Sequence, residues 1–165
     1  MAFLDRSKVE SMLIARLQAQ MPAGIVSSTV GDAERKAGGT TAGSRSVRIT
    51  AVDITPVTRS SSAGTQVGRL QLVIAVTASE ADGQECAWTA AGDAQRVLNA
   101  MTQVGWQDTD TGHTINLGEG RAEEATLAGD ANGASPRARA VLVTIEGLVV
   151  RTAGVTILSA PPAGV

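Results

Sequence analysis

Tyrosine is absent from this chain, phenylalanine occurs once and tryptophan twice, so aromatics make up only 2% of 165 residues. A core must then be built from Val, Ile, Leu, Ala and Met. Small aliphatics gain little per residue at about 25 cal/mol per Å² of apolar area buried. A modestly stable monomer, completed by burial between subunits, is the expectation. The shortage of aromatics also removes the stacking platforms of single-strand nucleic-acid binders. A net charge of −2, from 14 basic and 16 acidic residues, offers no basic footprint for a duplex. The single cysteine, Cys86, excludes an internal disulfide and reads as a small buried hydrophobe rather than a nucleophile. No run approaches the ~18 apolar residues of a membrane span. The N-terminus carries no apolar stretch after a basic start, so no signal peptide is expected and the product reads as cytosolic.

Constellations for catalysis are equally sparse. The one histidine, His113, sits in DTDTGHT and reads as a solvated loop residue rather than a general base. There is no G-x-S-x-G elbow, and nothing in the spacing links His113 to Cys86. Two carboxylates for glycoside chemistry could be drawn from Glu80, Asp82, Glu119, Glu123 or Glu124, but no spacing pairs any two of them. Gly118-Glu119-Gly120 lacks the third glycine of a dinucleotide loop, and no Walker-type lysine is present. Asp108, Asp110 and Glu119 match the first, third and twelfth ligand positions of an EF-hand loop. Gly112 and His113 at its fifth and sixth positions, with strand rather than helix following, favour a plain acidic turn. No catalytic, cofactor-binding or metal-ligating residue is therefore expected, and no enzyme activity.

What the sequence does contain is strong patterning. In Arg69–Ser79, RLQLVIAVTAS, the residues Leu70, Leu72, Ile74, Val76 and Ala78 share one face of a strand. Val141, Val143 and Ile145 do the same in VLVTIEGLVVR before Gly147 disturbs the alternation. These two stretches are expected to be partners. Val47, Ile49 and Ala51 alternate, then Val52 and Ile54 continue on the other parity, which predicts a β-bulge between Ala51 and Val52. Pro56 ends that strand or places its tail on an edge. Ser7 and Glu10 form a capping box ahead of a helical stripe of Val9, Met12, Leu13, Leu17 and Met21, stopped by Pro22 and Gly24. The single stripe predicts a helix covering its own sheet in preference to one packed on a neighbouring subunit.

A second stripe, Ala94, Val97, Leu98, Met101 and Val104, predicts another helix, with Thr89 or Asp93 as its N-cap, Gly105 as its C-cap and Trp106 folding back onto it. Ile25–Val30 reads as a short strand, and Ile115/Leu117 and Ala125/Leu127 as two more. The polar stretches Gly31–Ser46 and Arg59–Gly68 read as long loops, Glu80–Gly83 as a turn and Asp130–Pro136 as a hairpin loop. The order is helix, hairpin, helix, hairpin. The fold class is α+β, a mostly antiparallel sheet of long hairpins with an N-terminal helix and a second helix packed on it. Residues 1–152 form one domain and 153–165 an extended C-terminal arm, where Val155, Ile157 and Leu158 could add an edge strand.

The succession of a capped helix ending near Pro22-Ala23-Gly24, a hairpin closing with RLQLVIAVTA, a helix AQRVLNAMTQVGW and a last strand VLVTIEGLVVR resembles the tail terminator (tail completion) proteins of long-tailed bacteriophages. The resemblance lies in element order and covers the chain to about Arg151. It implies a structural virion protein, a small α/β subunit made in the host cytoplasm. It further implies a homo-oligomeric ring, hexameric in that family, which caps the tail tube protein at the neck and docks it to the head-side connector. DNA would pass through its lumen without specific binding, and no membrane or cofactor would be involved. The loops Gly31–Ser46, Arg59–Gly68 and Gly129–Pro136 would be contact elements ordering on those partners. Another neck, connector or tail-tube subunit remains an alternative. So does a small cytosolic enzyme or ligand-binding domain, which would need convergent polar groups in a pocket.

Overall fold

The two alternating stretches become the adjacent central strands of one sheet. In the computed structural model, which describes residues 4–31, 44–57, 65–79, 83–102, 106–108, 112–125 and 138–152, the elements are α1 (Arg6–Gln20), β1 (Ser44–Pro56), β2 (Thr65–Ser79), α2 (Gly83–Met101), β3 (Trp106–Asp108), β4 (His113–Ala125) and β5 (Ala138–Thr152). The strand order is β1-β2-β5-β4-β3 and every ladder is antiparallel. The expected α+β class and the expected pairing of β2 with β5 both hold. Their register is continuous from Thr65 opposite Thr152 to Ser79 opposite Ala138, and it sets Leu72 against Ile145 and Ile74 against Val143.

Both helices lie on one side of this sheet, for a reason of length. Fifteen-residue strands span roughly 45–50 Å at ~3.3 Å per residue. The 19 residues of α2 reach only about 28 Å at 1.5 Å per residue. One helix leaves part of the apolar face bare; α2 packs on β5, β2 and β4, and α1 on α2 and β1. The stripe Val9, Met12, Leu13 and Leu17 is buried there, so α1 covers its own sheet. Every buried apolar residue among those described is Ala, Val, Leu, Ile or Met. Each large aliphatic contributes about 1.5–3 kcal/mol by burial.

Several local expectations shift. The N-cap of α1 is Asp5, whose carboxylate accepts from the Ser7 and Lys8 N–H groups; Ser7 lies inside the helix and Glu10 pairs with Arg6. α2 begins at Gly83 and ends at Met101, so Thr89 and Asp93 are interior positions rather than caps. The bulge of β1 falls between Ile49 and Ala51, one residue earlier than the parity suggested. Thr50 is the extra residue, and its hydroxyl donates to the Val73 carbonyl at 3.2 Å. Ile25–Val30 forms no strand of its own. It docks along β1 through one parallel bridge, Val26 to Val47, with Ser27 N–H donating to Val47 O and Val47 N–H to Ile25 O.

The two short strands expected around Ile115 and Ala125 are one strand, β4, bulged between Leu117 and Gly120. That bulge explains Gly147. The alternation of β5 runs through it undisturbed, since Val141, Val143, Ile145 and Val149 are all buried. A Cβ at 147 would lie 2.1 Å from Asn116 O and 2.7 Å from Leu117 Cα, so only glycine lets the bulged backbone approach. Ser44–Ser46 belong to β1, Thr65–Gly68 to β2 and Gly83 to α2, shortening the loops and the turn that precede each. β1 is an edge strand ending at Pro56, as expected. The Gly105 cap, Val104, the Trp106 ring, Leu127, the 130–136 loop and the 153–165 arm lie outside the described residues.

Candidate interaction surface

A strand buried on one side sends alternate residues to the other, and both described helices lie on the same side of this sheet. The residues facing away from the helices form rows across four strands. The row Arg48, Ala75, Leu142, Glu123 is followed by Ala51, Val73, Thr144, Arg121. Below these come Asp53, Gln71 and Glu146, with the bulge residues Gly118 and Glu119 alongside, and then Thr55, Arg69, Leu148 and Asn116. A solvated sheet face is ordinarily polar. Here the centre of the first two rows, Ala75, Leu142, Val73 and Thr144, is apolar at three of four positions, and Leu142 and Leu148 are 38% and 44% exposed. No described residue covers them. An acidic row, with Asp53 and Glu146 both exposed, separates the two leucines.

The opposite side of the molecule carries a second unusual feature. Trp88, in α2, is 67% exposed, although this chain has few aromatics to spend on solvent. Ala91, Gly92, Gln95, Arg96 and Asn99 are exposed on the same helix, and Gln95 Nε2 donates to Asn99 Oδ1 at 3.0 Å. Sequence reasoning missed Trp88 because it started the helix too late; the run ECAWTAAGDAQ contains no helix breaker except Gly92, which was the available signal.

The edges of the sheet are less inviting. Beyond Ile115, the outer edge of β4 has no partner among the described residues, and Glu119, Arg121, Glu123 and Glu124 along it are exposed. Charges so placed discourage pairing with another chain. The Arg121 to Glu123 pair, at 3.8 Å with both side chains 72% exposed, contributes little to stability.

The chemistry-bearing residues are placed as follows. His113 is not a solvated loop residue. It opens β4, is fully buried, and its Nε2 accepts the Asp5 N–H at 3.3 Å. The ring thus ties the start of α1 to β4, and the acceptor nitrogen carries no proton in that bond. Asp108 of β3 is paired with His113 of β4, whereas Glu119 lies six residues further along β4, about 20 Å away at ~3.3 Å per residue. Asp108 and Glu119 therefore cannot be two ligands of one twelve-residue calcium loop; Asp110, Glu80 and Asp82 lie outside the described residues. Glu123 and Glu124 are successive strand residues on opposite faces. Cys86 falls in α2, its side chain outside the described set. Among the described residues no three His, Cys, Asp or Glu converge on a metal position, and no helix is long and apolar enough to cross a membrane.

One buried carboxylate was missed as such. Asp93 is 2% exposed, and Arg45 grips both of its oxygens, Nε donating to Oδ2 at 2.8 Å. This bidentate pair clamps the start of β1 to the middle of α2. The signal was available, since Asp93 shares helical spacing with Ala90, Ala94 and Val97, and a carboxylate on an apolar stripe must find a partner. No protein-family model matches the chain, and no curated protein shows significant similarity to it in sequence.

Proposed function

We propose that this chain is a structural, non-catalytic subunit of the tail-terminator kind, one that closes into a ring on the tip of a phage tail tube and joins it to the head-side connector. The element order that carries the family resemblance supports this reading. The observation that bears on it most directly is the pair of unlike exposed surfaces on opposite layers: the apolar-centred sheet face and the Trp88 face of α2. Rings are built by heterologous contacts, in which each subunit offers two different faces. A thin aliphatic core is consistent with a subunit that gains stability on assembly. The net charge of −2 suits a conduit that DNA crosses without adhering, because phosphate contacts dominate DNA affinity. The virion neck would be its location, with the tail tube protein and the connector as partners.

The test is the solution mass of the purified protein by light scattering after size exclusion over a concentration series, followed by addition of isolated tail tubes and electron microscopy. A closed species of about six subunits, alone or on tube tips, is expected. Open tubes of indefinite length would instead identify a tube subunit, and a monomer that ignores tail tubes would refute a neck role.

A further inference from the structure

We propose that the exposed stripe of α2 from one copy seats on the uncovered sheet face of a second copy. Trp88 would rest against Leu142 and its neighbours Val73 and Ala75, and Arg96 would lie against the acidic row of Asp53 and Glu146. The inference rests on the ring reading only for the claim that the contact closes. The two surfaces cannot meet within one chain, because α2 lies on the helix side of the sheet and the rows face the other way, and no described residue covers either of them.

Dimensions agree. At 100° per residue, Trp88, Gly92, Gln95 and Asn99 fall within about 60° of one another, with Ala91 and Arg96 flanking. Four strands make a platform roughly 15–19 Å wide, and a helix is about 10–12 Å across with its side chains, so one helix fits. Trp88 and Arg96 are about 12 Å apart along α2 at 1.5 Å per residue. Leu142 and Glu146 are about 13 Å apart along β5 at ~3.3 Å per residue. An aromatic anchor and a cation on one element thus meet an apolar spot and an anion on the other at matching separation. Gly92 has nothing within 4 Å of a hypothetical Cβ and leaves space beside the tryptophan for close approach. Tryptophan and arginine are the side chains that most often dominate such contacts, and the opposed charges fix polarity along the helix.

The contact is heterologous, which yields a sharp experiment. Trp88→Glu and Leu142→Asp are each made in the full chain and compared with wild type by sedimentation and by circular dichroism. Both residues are exposed, so folding is retained and self-association weakens by about thirtyfold or more. Mixing the two variants restores one contact, since the first still has its sheet face and the second its helix face. A 1:1 heterodimer and nothing larger is expected. Arg96→Glu weakens assembly likewise, and Glu146→Lys in the same chain restores it; this surface pair decides the matter should Leu142→Asp misfold. Assembly of either variant at wild-type affinity, no heterodimer on mixing, or a wild type that never self-associates would each overturn the contact. A ring that survives Trp88→Glu would leave the terminator reading standing without this interface. Open filaments abolished by Trp88→Glu would uphold the interface and refute the terminator reading.

Discussion

Gly147→Ala and Gly92→Ala are the same chemical change with opposite expected signs. In most strands, replacing glycine by alanine is favourable by roughly 0.5–1 kcal/mol because the unfolded chain loses freedom. At Gly147 the new methyl carbon would stand 2.1 Å from Asn116 O, 2.7 Å from Leu117 Cα and 3.0 Å from Asn116 C. All three atoms are backbone, so no rotamer change relieves the clash. β4 must withdraw by more than about 1 Å to reach ordinary van der Waals separation, loosening its pairing with β5 at the bulge. Overpacking of about 1–3 kcal/mol and the weakening of one or two ladder bonds at about 0.5–1.5 kcal/mol each predict a net loss of about 2–4 kcal/mol. Gly92 is exposed in the interior of α2 with open space around it, so alanine there should stabilise by about 1 kcal/mol.

Thermal melting at a concentration where subunits are dissociated reads both changes. At about 2–4 °C per kcal/mol for a chain of this size, Gly147→Ala should melt roughly 5–15 °C lower and Gly92→Ala about 2–4 °C higher. Gly120→Ala should cost less than Gly147→Ala, since its two nearest obstacles are side-chain atoms, the terminal Cδ2 of Leu98 and Cγ1 of Ile145, rather than backbone. A Gly147→Ala protein that melts at or above wild type would refute the close-approach account of the β4 bulge.

Arg45→Ala should destabilise more than Asp93→Ala, because it strands a carboxylate that is 2% exposed, whereas Arg45, with its side chain 29% exposed, can rehydrate; a loss approaching 3 kcal/mol against about 1–2 kcal/mol is expected by denaturant titration, and equal losses would contradict the asymmetry. Asp5→Ala should lower stability by about 1 kcal/mol and Ser7→Ala by less than about 0.5 kcal/mol, the reverse of what a Ser7 cap would give; helix-sensitive circular dichroism during melting separates them. His113→Ala removes a fully buried ring and its bond from Asp5 N–H and should cost about 2–4 kcal/mol, whereas a solvated loop histidine would cost nearly nothing. Val143→Asp places a carboxylate at a fully buried position of β5 and should abolish the cooperative transition; a folded variant would mean the β2–β5 face is not the core.

Periodicity made the skeleton of this fold legible. Leu70 to Ala78 and Val141 to Ile145 announce one-sided strands because side chains alternate strictly along an extended backbone, and that constraint is local. The stripes of α1 and α2 were readable for the same reason, and Pro56 marked an edge because it cannot donate to a ladder. The shift of parity in β1 showed that an extra residue exists, while its position at Thr50 is a matter of the register between β1 and β2.

The rest was decided by contacts between residues far apart in the chain. Asp93 and Arg45 each look like ordinary polar residues until α2 and β1 bring them together. Gly147 looked like a break in β5, and is needed there only because β4 bulges beside it. Both Asp5 and Ser7 are good N-cap residues, so local propensity could not choose between them. The structure chooses Asp5, whose backbone N–H is held by His113, 108 positions along the chain. The same bond turns a histidine with polar sequence neighbours into a buried one. Alternation and helical spacing are properties of the backbone and survive in the one-dimensional record; the partner of a buried polar group is a property of the assembled layers and does not.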